Sequence, residues 1–180
     1  MLRWLMKYDQ DTLETVALMD VARAMAVAAR TAPKARGVDE IVTLLVTGEE
    51  IGMLADEMLR VGKEKNITFF SRDSLNIRNV KAVLIVGVKN KPRAVPNCGN
   101  CGHADCTSNT KADGVCALCI VDLGIALGSA VSIAADHRVD TRIMFSIGKA
   151  ALTLGFMDDV HQAYGLPLSS SGKNPFFDRK

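Results

Sequence analysis

The segment VPNCGNCGHADCTSNTKADGVCALC, residues 95–119, holds all five cysteines of a 180-residue chain. They are spaced Cys98-x2-Cys101-x4-Cys106-x9-Cys116-x2-Cys119. A stretch that brings four thiols around one centre cannot also run as a single strand or helix. It therefore marks an irregular Cys-rich insertion, residues 89–119, and the core must be built from what precedes and follows it. Clustered thiols in a reducing compartment point to metal or redox chemistry, and an odd count fits no closed disulfide framework.

The compartment read from the sequence is the cytoplasm. The opening MLRWLMKYDQDTLET carries two basic residues but neither an apolar segment of signal-peptide length nor a small-residue cleavage site. The longest uncharged apolar run, Leu123 to Ala135, has 13 residues, short of a membrane span and better suited to a buried helix. Charge is nearly balanced at +2, which gives no electrostatic case for nucleic acid or an anionic membrane as partner. Aromatics make up only 5%, so Ala, Val, Leu, Ile and Met must fill the core of what size indicates is one domain, 1–180.

Around the insertion the pattern alternates. Asp11 and Glu14 resemble a capping box opening a helix through TLETVALMDVARAMAVAAR, which Pro33 and Gly37 end. IVTLLVT, 41–47, is a β-branched run expected as a buried strand, followed by a helix to about Lys65 with Ile51, Leu54, Ala55, Met58 and Val61 on one face. ITFF reads as a short strand, SRDSLNIRNV as a polar helical turn, and KAVLIVGV, 81–88, as a central strand. Helices are expected from about Ala117 to His137 and Thr141 to Leu154, then a last strand and a polar tail. The class is α/β or α+β: a small mixed sheet covered by helices, with the cysteine loop inserted.

Two cages compete for the thiols. Cys98, Cys101, Cys106 and Cys116 can hold a 4Fe–4S cluster, three closely spaced thiolates wrapping three corners and a distant fourth closing the set. Gly99 and Gly102 let that loop bend tightly, and Cys116 sits near a helix start, where a thiolate is favoured. Alternatively Cys98–Cys101 and Cys116–Cys119 form paired zinc knuckles and leave Cys106 idle. Spacing alone leaves these two readings level. Lys89, Lys91, Arg93 and Lys111 suit an anionic cluster but equally suit a solvated loop.

CGNCGHADC resembles the half-motif of the ferredoxin-like 4Fe–4S domain in corrinoid iron–sulfur proteins and related enzymes of anaerobic metabolism. There the fourth cysteine lies further downstream than Cys116 does here. Over more of its length the chain resembles a prokaryotic family of uncharacterised proteins containing a ferredoxin domain. The matching stretches are VARAMAVAARTAPKARGVDEIVTLLVTGEE, CGNCGHADC, CALCIVDLGIALGSAVSIAADHRVDTRIMFSIGKAALTLG and GLPLSSSGKNPFFDR. That resemblance implies Cys98, Cys101, Cys106 and Cys116 as ligands, with Cys119 in reserve, and names a class rather than a reaction.

A third resemblance is looser. AARTAPKARG, the helix containing DLGIALGSA and the closing GLPLS are similar to parts of the flavin-binding nitroreductase fold, where such elements build the dimer and flavin pocket. It implies FMN as a second cofactor and a homodimer, although MLRWLMKYDQ lacks the arginines that grip the flavin phosphate in that family. Lys34 and Arg36 of the TAPKARG turn and Lys173 of SSSGKN are the candidate anion-binding residues, and Gly124 and Gly128 would let a flat ligand approach. The bland readings are polar surface loops and helix packing across a dimer. His103, His137 and His161 are scattered, and Asp158–Asp159 reads as a solvated turn. The expected role is one-electron transfer with a redox partner protein or second cofactor. A zinc-stabilised binding module and a flavin-dependent oxidoreductase using the cluster as relay are the alternatives.

Overall fold

The computed structural model describes residues 7–177. Residues 1–6, on which the export-signal and flavin-phosphate expectations bear, and residues 178–180 lie outside them. At the centre is β2 (Ala82–Val88), buried at every position. It pairs antiparallel with β1 (Ile41–Val46) on one side and β4 (Gln162–Ser169) on the other, so that Ile85 stands between Leu44 and Gly165. A two-residue β3 (Asp140–Thr141) pairs antiparallel with β4 and completes the order β1-β2-β4-β3. Every pairing is antiparallel, which corrects the expected mixed sheet.

A strand buried on both faces needs cover on both, and the period of two divides that cover into two cores. Ala82, Leu84, Val86 and Val88 pack with α1 (Gln10–Thr31) and α5 (Ala117–Asp136). Val83 and Ile85 pack with α2 (Glu49–Glu64), α3 (Thr68–Ile77) and α6 (Phe145–Thr153). The result is a sheet between two helical layers. By length and a mean hydropathy of 2.1, α5 could cross a membrane, but here its inner face from Cys119 to Ala134 belongs to the first core.

Several boundaries differ from the sequence reading. The cap of α1 is Asp9, which accepts from Thr12 N–H at 2.8 Å, rather than Asp11. ITFF is not a strand: Ile67 caps α3, which buries Phe70, Asp73, Ser74 and Ile77. The spacing of Phe70, Asp73, Ser74 and Ile77 is helical, but two polar members hide the stripe. Asp73 is satisfied inside by the Ser146 hydroxyl, which donates to it at 2.7 Å from α6. The expected helix from Thr141 is split. Thr141 belongs to β3, Met144 exchanges hydrogen bonds with Gly165 of β4, and α6 starts only at Phe145.

Candidate metal centre

The insertion leaves β2 after Val88 and rejoins the core at α5. It contains a short helix absent from the sequence reading, α4 (Cys106–Lys111), capped by Asp105. Ser108 N–H donates to Asp105 Oδ1 at 2.7 Å, and Asp105 N–H donates back to Ser108 Oγ at 3.2 Å. The Ser108 N–H foremost, and then the Ser108 hydroxyl, hold the Asp105 carboxyl below its usual pKa. Before α4 the chain turns sharply. Gly99 and Gly102 take φ of +60° and +81°, and Gly102 N–H bonds to Gly99 O at 3.0 Å. Left-handed backbone at two closely spaced positions carries little steric cost because both are glycine.

Cys98, Cys101, Cys106 and Cys116 line one cavity of about 270 Å³ together with Arg93, His103 and Asp105. Cys119 is not among its lining residues. Its thiol donates instead to Lys91 O at 3.1 Å, within the first core. Burial pushes that thiol up to about 11, although the Arg93 charge pulls the other way. Cys116 behaves oppositely. Burial raises its pKa, but hydrogen bonds from the backbone of Arg93, Cys119 and Leu118 outweigh burial and hold it below the ordinary thiol value. Cys116 is the N-cap of the 20-residue α5, where N–H groups and the helix dipole favour an anion. The other three cavity thiols are half-buried. Among the described residues no three Cys, His, Asp or Glu side chains close on a single-ion point.

Asparagines tie the insertion in place. Cys116 N–H donates to Asn90 Oδ1 at 3.0 Å, and Asn90 Nδ2 donates to Gly114 O at 3.0 Å. Gly114 is required for close approach, because a Cβ there would lie 2.6 Å from Asn109 Nδ2. Sequence reasoning missed both asparagines, since neither belongs to a metal-ligand pattern.

Of the four basic residues flanking the loop, Lys89 pairs with Asp159 at 3.5 Å and Lys91 with Glu40 at 2.9 Å. Lys111 is exposed. Arg93 alone of the four lies at the cavity, but its side chain is wholly buried and turned into the core. Its Nε donates to Asp122 Oδ2 and its Nη1 to Lys91 O, both at 2.8 Å. Its Nη2 is buried with no hydrogen-bond partner among the described residues. An unsatisfied buried donor costs about 1–3 kcal/mol, more when charged. Asp122 signalled this pair in the sequence as the single charge in ALCIVDLGIALGSAVSIAA, because a lone carboxylate in an apolar helix requires a partner.

None of the five proposed cofactor residues lines the cysteine cavity. The Lys34 ammonium donates to Ala32 O at 2.7 Å, to Ala29 O at 3.4 Å and to Arg30 O, closing the end of α1. Arg36 Nη1 reaches Ala94 O at 2.9 Å and Arg93 O at 3.2 Å, so the TAPKARG turn clamps the start of the insertion. Gly124 and Gly128 lie on the exposed side of α5 with open space around them. Lys173 lines a separate cavity with Leu75, Asn79, Ser169 and Ser171.

The family model described as "Uncharacterized protein containing a ferredoxin domain (DUF2148)" matches residues 112–179. An uncharacterized protein of Archaeoglobus fulgidus is 43% identical over 168 residues, covering 88% of this chain and 89% of the relative. The chain belongs to this ferredoxin-domain family. The matched segment starts after Cys106, so it takes in Cys116 and Cys119 and leaves out the three upstream thiols.

Solved structures extend the likeness to fold. The FMN-dependent nitroreductase NfnB from Mycobacterium smegmatis, in complex with NADPH, aligns with a TM-score of 0.58 at 11% identity, over 86% of this chain and 78% of that one. A nitroreductase with bound FMN from Desulfitobacterium hafniense gives 0.57 at 15% identity, over 89% and 82%. Nitroreductase A from Vibrio parahaemolyticus gives 0.54 at 12% identity, and the chain spans only 64% of its length. The protein thus has the nitroreductase fold.

Proposed function

We propose that this protein binds one 4Fe–4S cluster on Cys98, Cys101, Cys106 and Cys116 and serves in one-electron transfer in the cytoplasm. The observation that carries this reading is that these four thiols line one cavity and Cys119 does not. A zinc knuckle needs four sulfurs about 2.3 Å from one point, whereas a cubane's ligands bind separate corners around a larger body. Thiols on the wall of a shared cavity suit the larger body. The donor set also fits chemically: Cys116 is disposed toward thiolate, and Cys119 is held as a neutral thiol.

A bound cluster supplies reversible one-electron carriage. The chain's residues do the rest. Gly99 and Gly102 fold the loop over the cavity, α5 points its N-terminus at Cys116, and Asn90 and Arg36 hold the loop to the sheet. The three half-buried thiols keep the cavity near the surface, within reach of a redox partner protein.

The fold favours a second reading, in which FMN also binds and the cluster relays electrons to it. Of the candidate residues, Lys34 is committed to carbonyls and Arg36 to the insertion, whereas Lys173 lines its own cavity and the open space around Gly124 and Gly128 leaves room for a flat ligand.

Elemental assay of oxygen-free protein tests the proposal. Iron and acid-labile sulfide in equal amounts, about four of each per chain, with brown colour bleached by dithionite, is the expected result. Colourless protein holding one zinc would overturn it, and a yellow chromophore released by heating would bring in the flavin.

A further inference from the structure

We propose that Cys116 and Cys119 form a redox-active dithiol, a second site whose substrate is a low-molecular-weight disulfide and whose product is a disulfide between these two residues. Cys119 has no part in the ligand set above, and three observations give it this one. The C-x2-C spacing falls at the head of α5, with Cys116 as the N-cap and Cys119 in the first turn, where Cys119 N–H bonds to Cys116 O at 3.0 Å. Such a turn brings residues three apart within the separation that a disulfide spans. Both thiols are free, and they are hydrogen-bonded to each other. Finally, Cys116 lines the cavity, whereas Cys119 does not and is held in the first core by its bond to Lys91 O at 3.1 Å.

A reagent in the cavity meets Cys116, the one member of the pair on its wall. The Cys116 sulfur, its proton passed to solvent, attacks one sulfur of the small disulfide. The reagent's S–S bond breaks, and one small thiol leaves with a proton. The Cys119 sulfur then attacks the Cys116 sulfur, the mixed disulfide breaks, and the second small thiol leaves with the Cys119 proton. Two protein thiols lose two electrons, and the reagent gains them. The second step is favoured because the helix start already holds the two sulfurs together, which raises their effective concentration. Cys98 and Cys101 share the spacing but stand half-buried on the glycine turn rather than at the head of a long helix. Closing the Cys116–Cys119 bridge takes Cys116 out of the ligand set, so bridge and cluster exclude each other. That consequence rests on the cluster assignment above; the dithiol itself does not.

The test uses the full chain, reduced and freed of metal by a chelator, with bis(2-hydroxyethyl) disulfide as the probe. Samples are quenched in acid, alkylated and cut with trypsin, which leaves Cys116 and Cys119 together in 112–138 and the other three thiols in 94–111. In the folded protein, 112–138 is expected to lose two hydrogens and close to alkylation at least about tenfold faster than 94–111. In concentrated urea the two segments are expected to oxidise at similar rates. Parallel oxidation in the folded protein, or 112–138 bridged to 94–111 as the main product, overturns the proposal. Cys119→Ala is expected to stall with the hydroxyethylthio group on Cys116. Loss of that group to a bridge with 94–111 at the wild-type rate overturns the role of Cys119. Loaded wild type is expected to resist the probe at 112–138, because Cys116 is then a ligand. Wild type that takes up neither iron nor sulfide, yet closes the bridge, removes the cluster and leaves the dithiol standing.

Discussion

Arg93 and Asp122 form an ion pair of 2.8 Å whose side chains are 0% and 2% exposed, and it joins the start of the cysteine insertion to α5. Burying both charges is tolerable only while each has the other. Asp122→Ala leaves the guanidinium unpaired and Ala35 N–H without its acceptor, so we expect a loss of about 3–5 kcal/mol in urea denaturation. Replacing both partners by apolar residues, Arg93→Met with Asp122→Leu, is expected to recover most of that loss, because the penalty of a lone buried charge disappears. A loss below about 1 kcal/mol in the single variant would show that the pair is solvated, as surface pairs are.

Cys106 and Cys119 exchange roles between the two metal cages, and their substitution separates them. Cys106 lines the cavity, and Cys119 bonds to Lys91 O in the core. Cys106→Ala is therefore expected to lose most of its iron, and Cys119→Ala to keep it at wild-type stoichiometry with a modest drop in melting temperature. Metal analysis of the two oxygen-free variants decides. The reverse pattern would assign the site to zinc.

How much of this was legible beforehand depended on whether the signal was local. KAVLIVGV reads as a central strand because an uninterrupted apolar run rich in Val and Ile suits burial on both faces, and β2 is buried throughout. The glycine turns were legible for the same reason, since CGNCG places Gly99 and Gly102 where left-handed backbone is needed. ITFF misled because the apolar residues of α3 are interspersed with buried polar ones, and Asp73 is satisfied by Arg72 and by Ser146, distant in sequence. Strand direction was not legible either. The β2-to-β4 connection is long enough for a parallel crossover, yet the chain returns antiparallel. In the candidate metal centre, the cysteines announced themselves by spacing. Asn90, Asn109 and the use of Arg36 as a clamp depend on contacts made only once the sheet and α5 are assembled.

Cys119 also makes a pH prediction. Burial, partly opposed by the Arg93 charge, lifts its thiol from 9.0 to about 11 in the folded chain. Over that interval the native state binds the proton more tightly than the unfolded state, so unfolding free energy falls as pH rises. The stabilisation is fully present below about pH 9 and is lost as pH passes through about 11. Cys119→Ala removes this proton linkage and leaves the other alkaline titrations in place. The stability difference between wild type and variant should be constant up to about pH 9 and shrink by about 2 kcal/mol by pH 11. Denaturation series at fixed pH read it, and a difference that stays flat across the interval would place the thiol in water.

Gly148 makes the sharpest statement about the fold that carries the site. It lies in α6 where the helix crosses β4, and a Cβ there would sit 1.8 Å from Ala163 O and 2.8 Å from Tyr164 N. Both atoms belong to backbone inside the sheet, so neither can swing aside as a flexible side chain would. Gly165 accommodates the same crossing from the strand side, where a Cβ would meet Ile147 Cγ2 at 2.2 Å. Relief requires α6 to lift away from β4, opening the second core around Ile147, Ala150 and Ala151. Gly148→Ala should therefore cost about 3 kcal/mol or more despite the better helix propensity of alanine. Gly128→Ala in α5, with open space around it, should be neutral or slightly stabilising. Melting temperatures of the two variants check this, and near-equal values would mean that α6 does not press on β4 this closely.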